Sequence, residues 1–150
     1  MAADTVFYKR ATFVTHLPKT YLFSPSHYWL ASEDNGVWRV GFTKFATRML
    51  GDLVDHQFEK SEGETVSSGE IIGSVEGFKA ISDLYSPLDG RFLENNHALV
   101  QDVDLISREP YEGGWLFRVQ GTPDSRCSDV EGYRQLLDAT IDRMLEKQQP

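Results

Sequence analysis

The chain has 150 residues and is 40% hydrophobic, enough for one globular domain around one substantial core. Its 15 basic and 23 acidic side chains leave a formal charge of −8, and a field of that sign repels phosphate backbones and anionic headgroups, so neither nucleic acid nor membrane is an expected partner. No stretch approaches the roughly 20 apolar residues of a spanning helix, and the single Cys127 cannot close an intrachain disulfide, in keeping with a reducing compartment and a free thiol beside a helix start.

The opening MAADTVFYKRATFVTH lacks the continuous apolar run of a secretory signal. Lys9 and Arg10 among Ala and Thr bear a faint likeness to a transit peptide, but Asp4 and the alternation in VFYKRATFV suit a strand or arm better. Pro18 and Pro25 punctuate the approach to HYWLASEDNGVWRVGF, where Asn35-Gly36 supplies the positive-φ residues of a tight turn. HYWLA and VWRVGF are therefore predicted as a hairpin with two tryptophans facing a core. Thr43 is placed to cap a short helix in which Phe42, Phe45, Ala46, Met49 and Leu50 recur at helical spacing, and Gly51 is placed to end it.

From Asp52 to Val119, short β-leaning runs are separated by KSEGETVSSGE, SPLDG and EPYEGG, a spacing that predicts a sandwich or flattened barrel. After GTPDSRC the pattern changes: Ser128 and Glu131 form an S-x-x-E capping box, and Val130, Tyr133, Leu137, Ile141, Met144 and Leu145 make one apolar stripe. A terminal helix is expected to dock on the sheet, with no linker long enough to make it a separate domain.

Catalytic machinery is not expected. His16, His27, His56 and His97 are widely spaced, and none pairs with another histidine or with Cys127 at metal-ligand spacing. Nucleophile elbows, phosphate-binding loops and dinucleotide-binding turns are absent. Glu59, Glu62 and Glu64 sit among Ser, Gly and Lys as solvated loop charge.

One stretch stands apart. In VEGFKAISDLYSP two β-leaning runs meet at a turn centred on Lys79, with Glu76 three residues before it, Ala80 directly after it and Asp83 further along the returning run. This segment resembles the lipoyl-attachment segment of the glycine cleavage system H-protein family, whose pattern is close to VESVKAASDIYSP. The likeness extends to VGFTKFATRMLGD, which resembles the family's VGIT-helix-LGD segment, to SPSHYWL, which resembles its S-H-E-W entry, and to EPYEGGWLFRV, which resembles its PY-x-x-GW ending. Biotin carriers share the hairpin, but methionines flank their lysine, whereas Phe78 and Ala80 flank it here.

The resemblance implies a mainly β, lipoyl-domain-like flattened barrel (a barrel-sandwich hybrid) with a short internal helix and a C-terminal helix. It would comprise an N-terminal extension over 1–20, a lipoyl domain over 21–122 and a helix over 123–150 docked on the same domain. It implies lipoate bound through an amide to Lys79, with no catalysis by the protein itself. The dithiolane would carry an aminomethyl group and electrons between glycine decarboxylase, aminomethyltransferase and dihydrolipoyl dehydrogenase, after loading by lipoate-attaching enzymes. The setting would be the cytoplasm, or the mitochondrial matrix in a eukaryote.

Carried over residue by residue, the pocket for the loaded arm comprises Ser26, Tyr28 and Asp83, and at Tyr28 the family has a glutamate. A phenol does not replace a carboxylate as partner for a cationic amine at neutral pH. On one reading Tyr28 packs beside Trp29 as an aromatic strand residue, and Glu33 or Asp34 supplies the charge. Alternatively the arm carries sulfur, as in the H-like lipoate-binding proteins of sulfur oxidation with a heterodisulfide-reductase-like complex. A third reading is an unmodified binding protein. Val103 and Ser107 also depart from the family, which prefers proline and asparagine there.

Overall fold

The computed structural model describes residues 4–148; residues 1–3 of the expected extension and 149–150 at the other end lie outside that range. The alternation in VFYKRATFV divides at Ala11, whose φ of 53° turns the chain, so it forms two strands, β1 (Thr5–Arg10) and β2 (Phe13–Pro18). After β3 (Leu22–Phe23), the predicted hairpin is present as β4 (Tyr28–Ser32) and β5 (Val37–Phe42), with Asn35 and Gly36 in its turn at φ 61° and 72°. Helix α1 (Lys44–Leu50) starts where expected, the Ala46 N–H donating to Thr43 Oγ1 at 3.4 Å.

The chain continues through β6 (Leu53–Phe58), β7 (Thr65–Val66), β8 (Ile71–Gly77), β9 (Ile81–Tyr85) and β10 (Leu88–Asn95). Two helices not anticipated from the sequence follow, α2 (Ala98–Gln101) and α3 (Leu105–Arg108), each a single turn and so without a periodic signal. Strand β11 (Phe117–Pro123) and helix α4 (Val130–Gln148) complete the fold.

All ladders are antiparallel. Strands β1 and β2 pair with each other, six strands run in the order β3-β4-β5-β11-β10-β7, and three in the order β6-β8-β9. The two larger sheets share one core that includes Leu30, Val40, Ile72, Leu84, Phe92 and Phe117, which is the expected flattened barrel. Strand β4 lies between this core and a second one. Tyr28 and Leu30 point into the first and Trp29 and Ala31 into the second, so four successive residues are buried, as a strand covered on both faces requires.

The second core joins Tyr8, Phe13 and Leu17 of the β1–β2 hairpin to Tyr133, Leu137 and Ile141 of α4. Polar contacts reinforce it: Tyr8 Oη donates to Asp138 at 2.8 Å, and Arg10 pairs with Asp142 at 2.7 Å. Two local expectations need correction. The cap of α4 is Asp129, whose Oδ1 accepts from Gly132 N–H at 2.9 Å, because Ser128 is held in a backbone bridge to Phe23 by two bonds of 2.8 Å. The apolar stripe also stops short of the core at its end: Leu145 is 41% exposed, and Met49 of α1 is 46% exposed.

Candidate functional site

Lys79 occupies the middle of the three-residue turn between β8 and β9, whose last pair is Glu76 with Ile81. Three backbone bonds make the turn rigid: Gly77 N–H donates to Ala80 at 2.9 Å, Phe78 N–H to Asp52 at 3.0 Å and Lys79 N–H to Leu50 at 2.9 Å. The last two fasten the turn to the corner where α1 passes into β6. Gly77 stands where the family pattern has serine, and a Cβ there would lie 2.2 Å from the Leu50 carbonyl oxygen, so this corner closes tightly on the hairpin. The Leu50 carbonyl was not foreseeable, since a backbone acceptor leaves no mark in a sequence.

Glu76, Lys79 and Ala80 are all solvent-exposed. The flanking Phe78 and Ile81 are 81% and 75% exposed, a strongly apolar collar around a single amine. Lys79 Nζ rests at 3.4 Å from the carbonyl oxygen of Arg48 on α1. Ser107 of α3 lies on the rim of a shallow depression beside the lysine, with Lys44 and Asp52.

Ser26, Tyr28 and Asp83 come together in one cleft of about 270 Å³ between the S-H-Y-W segment, α1 and β9. Ser26 and Asp83 are exposed, whereas Tyr28 is 3% exposed. Its ring stacks on Phe42 at 5.3 Å, and its Oη accepts from Tyr85 N–H at 2.9 Å. Burial pushes the phenol well above its ordinary range, so it stays neutral. The expected side-by-side packing of Tyr28 with Trp29 does not occur, because adjacent strand residues face opposite ways. Nor does Glu33 or Asp34 compensate: Glu33 is held by Arg118 at 2.8 Å and Arg39 at 3.4 Å, and neither acid lines the cleft.

His27, a further lining residue, was read only as a histidine without metal partners. Its Nδ1 lies 2.9 Å from Tyr133 Oη, which is itself 2.7 Å from Thr43 Oγ1. The Tyr133 hydroxyl thus bridges His27 Nδ1 and Thr43 Oγ1, tying the cleft segment to α1 and α4. Burial lowers the His27 pKa to about 4. The unfolded chain, titrating near 6.5, therefore binds a proton that the folded one refuses between those values. The His27 contribution to stability is therefore flat above pH 6.5 and falls as pH drops from 6.5 towards 4, by up to about 1.4 kcal/mol per pH unit. Urea midpoints across that range should show it, and His27→Gln should flatten the slope.

The Glycine cleavage H-protein family model matches residues 21–147. This chain belongs to the glycine cleavage H-protein family. A glycine cleavage system H protein of Streptomyces avermitilis is 43% identical over 103 residues, covering 69% of this chain and 82% of that protein. One from Escherichia coli O7:K1 is 37% identical over 127 residues, covering 85% and 93%. The crystal structure of a glycine cleavage system H protein from Mycobacterium marinum superposes with a TM-score of 0.74 at 37% identity, over 81% of this chain and 99% of that one. The function is lipoyl carriage of the glycine cleavage H-protein type, and these relatives do not favour the sulfur-oxidation alternative. Among the described residues no group of side chains could hold a metal ion, and no helix is long and apolar enough to cross a membrane.

Proposed function

We propose that Lys79 is the lipoyl-attachment residue and that the protein serves glycine cleavage as a carrier without catalytic turnover of its own. The observation that carries this is the exposed amine on a turn pinned by three backbone bonds, within a family match spanning residues 21–147. A rigid turn presents the amine at a reproducible position, which is what an attaching enzyme needs. In attachment the activated carboxyl of lipoate forms an amide with Nζ, the activating group leaves and the amine gives up protons to solvent; the side-chain charge disappears. When bound, the group supplies a disulfide that takes up two electrons and a transferred unit.

The residues around it have distinct tasks. Phe78 and Ile81 offer the apolar collar to the attaching enzyme and to glycine decarboxylase, aminomethyltransferase and dihydrolipoyl dehydrogenase. The −8 charge favours partners with basic faces. Ser26 and Asp83 provide a hydroxyl and one carboxylate for an amine cargo, while Tyr28 spends its oxygen on the Tyr85 N–H. The setting is the cytoplasm, or the mitochondrial matrix in a eukaryote. Residues 21–122 constitute the lipoyl domain, flanked by the 1–20 extension and the 123–150 helix, whose described parts share the second core.

Peptide mapping of protein made in lipoate-competent cells tests the attachment, with modification of Lys79 as the expected result and an unmodified lysine as the contrary one. The cargo pocket makes a separate prediction. Asp83→Asn should speed spontaneous loss of an amine cargo about tenfold or more, since a hydrogen bond to a charged group contributes about 1.5–3 kcal/mol. Tyr28→Glu should slow it by a similar factor while lowering the melting temperature through the lost ring.

A further inference from the structure

A second cleft, of about 360 Å³, opens beside Lys79 and shares only Met49 with the cleft that holds Ser26 and Asp83. One wall is the end of the β1–β2 hairpin with Phe13, another is α1 with Phe45 and Met49, and the third is the last turns of α4 with Met144 and Leu145. Lys79 itself lines this cleft and does not line the one that holds Asp83. The hairpin lies outside residues 21–147, the span of the family match, so this wall is an addition to the common fold.

We propose that this cleft is the resting dock of the lipoyl group on Lys79, a reading that rests on attachment at that residue. Several observations converge on the occupant. The lysine side chain already lies along α1, with Nζ at 3.4 Å from the Arg48 carbonyl at the cleft's rim. Arg48 in turn closes the rim, its guanidinium donating to Thr12 at 3.2 and 3.3 Å and lying 5.8 Å above the Phe13 ring.

Arg10, Arg48 and Gln148 stand among the lining residues, and the apolar part formed by Phe13, Phe45, Met49, Ile141, Met144 and Leu145 suits an uncharged hydrocarbon arm, its two thioethers and aromatic rings making a polarizable surface for a dithiolane. Met49 and Leu145 expose apolar surface here that the protein's own core leaves uncovered. The hairpin is fixed in place by Arg10–Asp142 and Tyr8–Asp138, so the walls are present before the arm arrives. A docked arm hides its disulfide until a partner binds the collar and draws it out.

Met144 provides the discriminating probe, because it lines this cleft alone, whereas Met49 lines both. Methionine-methyl NMR should be compared between unmodified and lipoylated protein, with attachment at Lys79 confirmed by mass. The expected result is that both methyl resonances shift, independently of protein concentration. Leu145→Glu should erase the Met144 shift and raise the rate of arm reduction by dithiothreitol severalfold. A shift of Met49 alone would place the arm in the Ser26–Asp83 cleft and overturn the proposal, as would two unmoved methyls on a fully lipoylated protein. A Met144 shift that grows with concentration would assign the cleft to a second copy instead. Failure of Lys79 to become modified would show in the mass, and would overturn the attachment reading together with this one.

Discussion

Lys79→Arg is expected to abolish lipoylation completely and, with it, all carrier activity, while leaving the fold untouched. The guanidinium keeps the positive charge and a similar reach but offers no amine for a stable amide. The side chain is exposed, and the bonds that fix the turn use backbone atoms of Gly77, Phe78 and Lys79, which the substitution retains. Stability should therefore stay within about 0.5 kcal/mol of the parent, the range of surface substitutions away from special features. Intact-mass analysis and thermal unfolding on one sample separate the two effects. A variant that still transferred cargo would remove Lys79 from its assigned role.

Tyr133→Ala should produce the largest loss of stability, about 3–5 kcal/mol, as expected for truncating a buried aromatic side chain. Its ring stacks on Phe23 at 4.7 Å, and its hydroxyl joins His27 to Thr43, so one residue of α4 secures β3, the cleft segment and the start of α1. Tyr133→Phe keeps the ring and removes only the hydroxyl, which should cost about 1–3 kcal/mol by leaving its partners unpaired. At about 2–4 °C per kcal/mol for a chain of this size, the alanine variant should melt roughly 6–20 °C below the parent. Equal melting temperatures for the two variants would place the contribution in the hydroxyl alone.

The features legible in the sequence were those written in local chemistry. Asn35-Gly36 marked the β4–β5 turn, Thr43 marked the start of α1, and the motif around Lys79 pointed to an attachment turn. Features that depend on distant packing were not legible. The burial of Tyr28 and Trp29 on opposite faces requires a second core, and that core exists only because the β1–β2 hairpin and α4 meet across the length of the chain. Ser128 had the right spacing for a cap but is occupied by Phe23, leaving Asp129 to do the capping. Glu33 appeared free to assist Tyr28 until β11 brought Arg118 to it. In the site, Ser26, Tyr28 and Asp83 were identified as a group, but the Tyr85 N–H that claims the Tyr28 oxygen, and the Met144 and Phe13 walls beside Lys79, came only with the tertiary structure.

This carrier, with a neutral Tyr28 where the family has a carboxylate, is expected to serve glycine cleavage through Lys79. The most direct test is glycine-dependent decarboxylation by glycine decarboxylase supplied with the fully lipoylated protein. Turnover that depends on the added protein, with faster cargo loss than from a glutamate-bearing H protein, is the predicted result. Silence from a protein modified at Lys79, beside a working H-protein control, would contradict it.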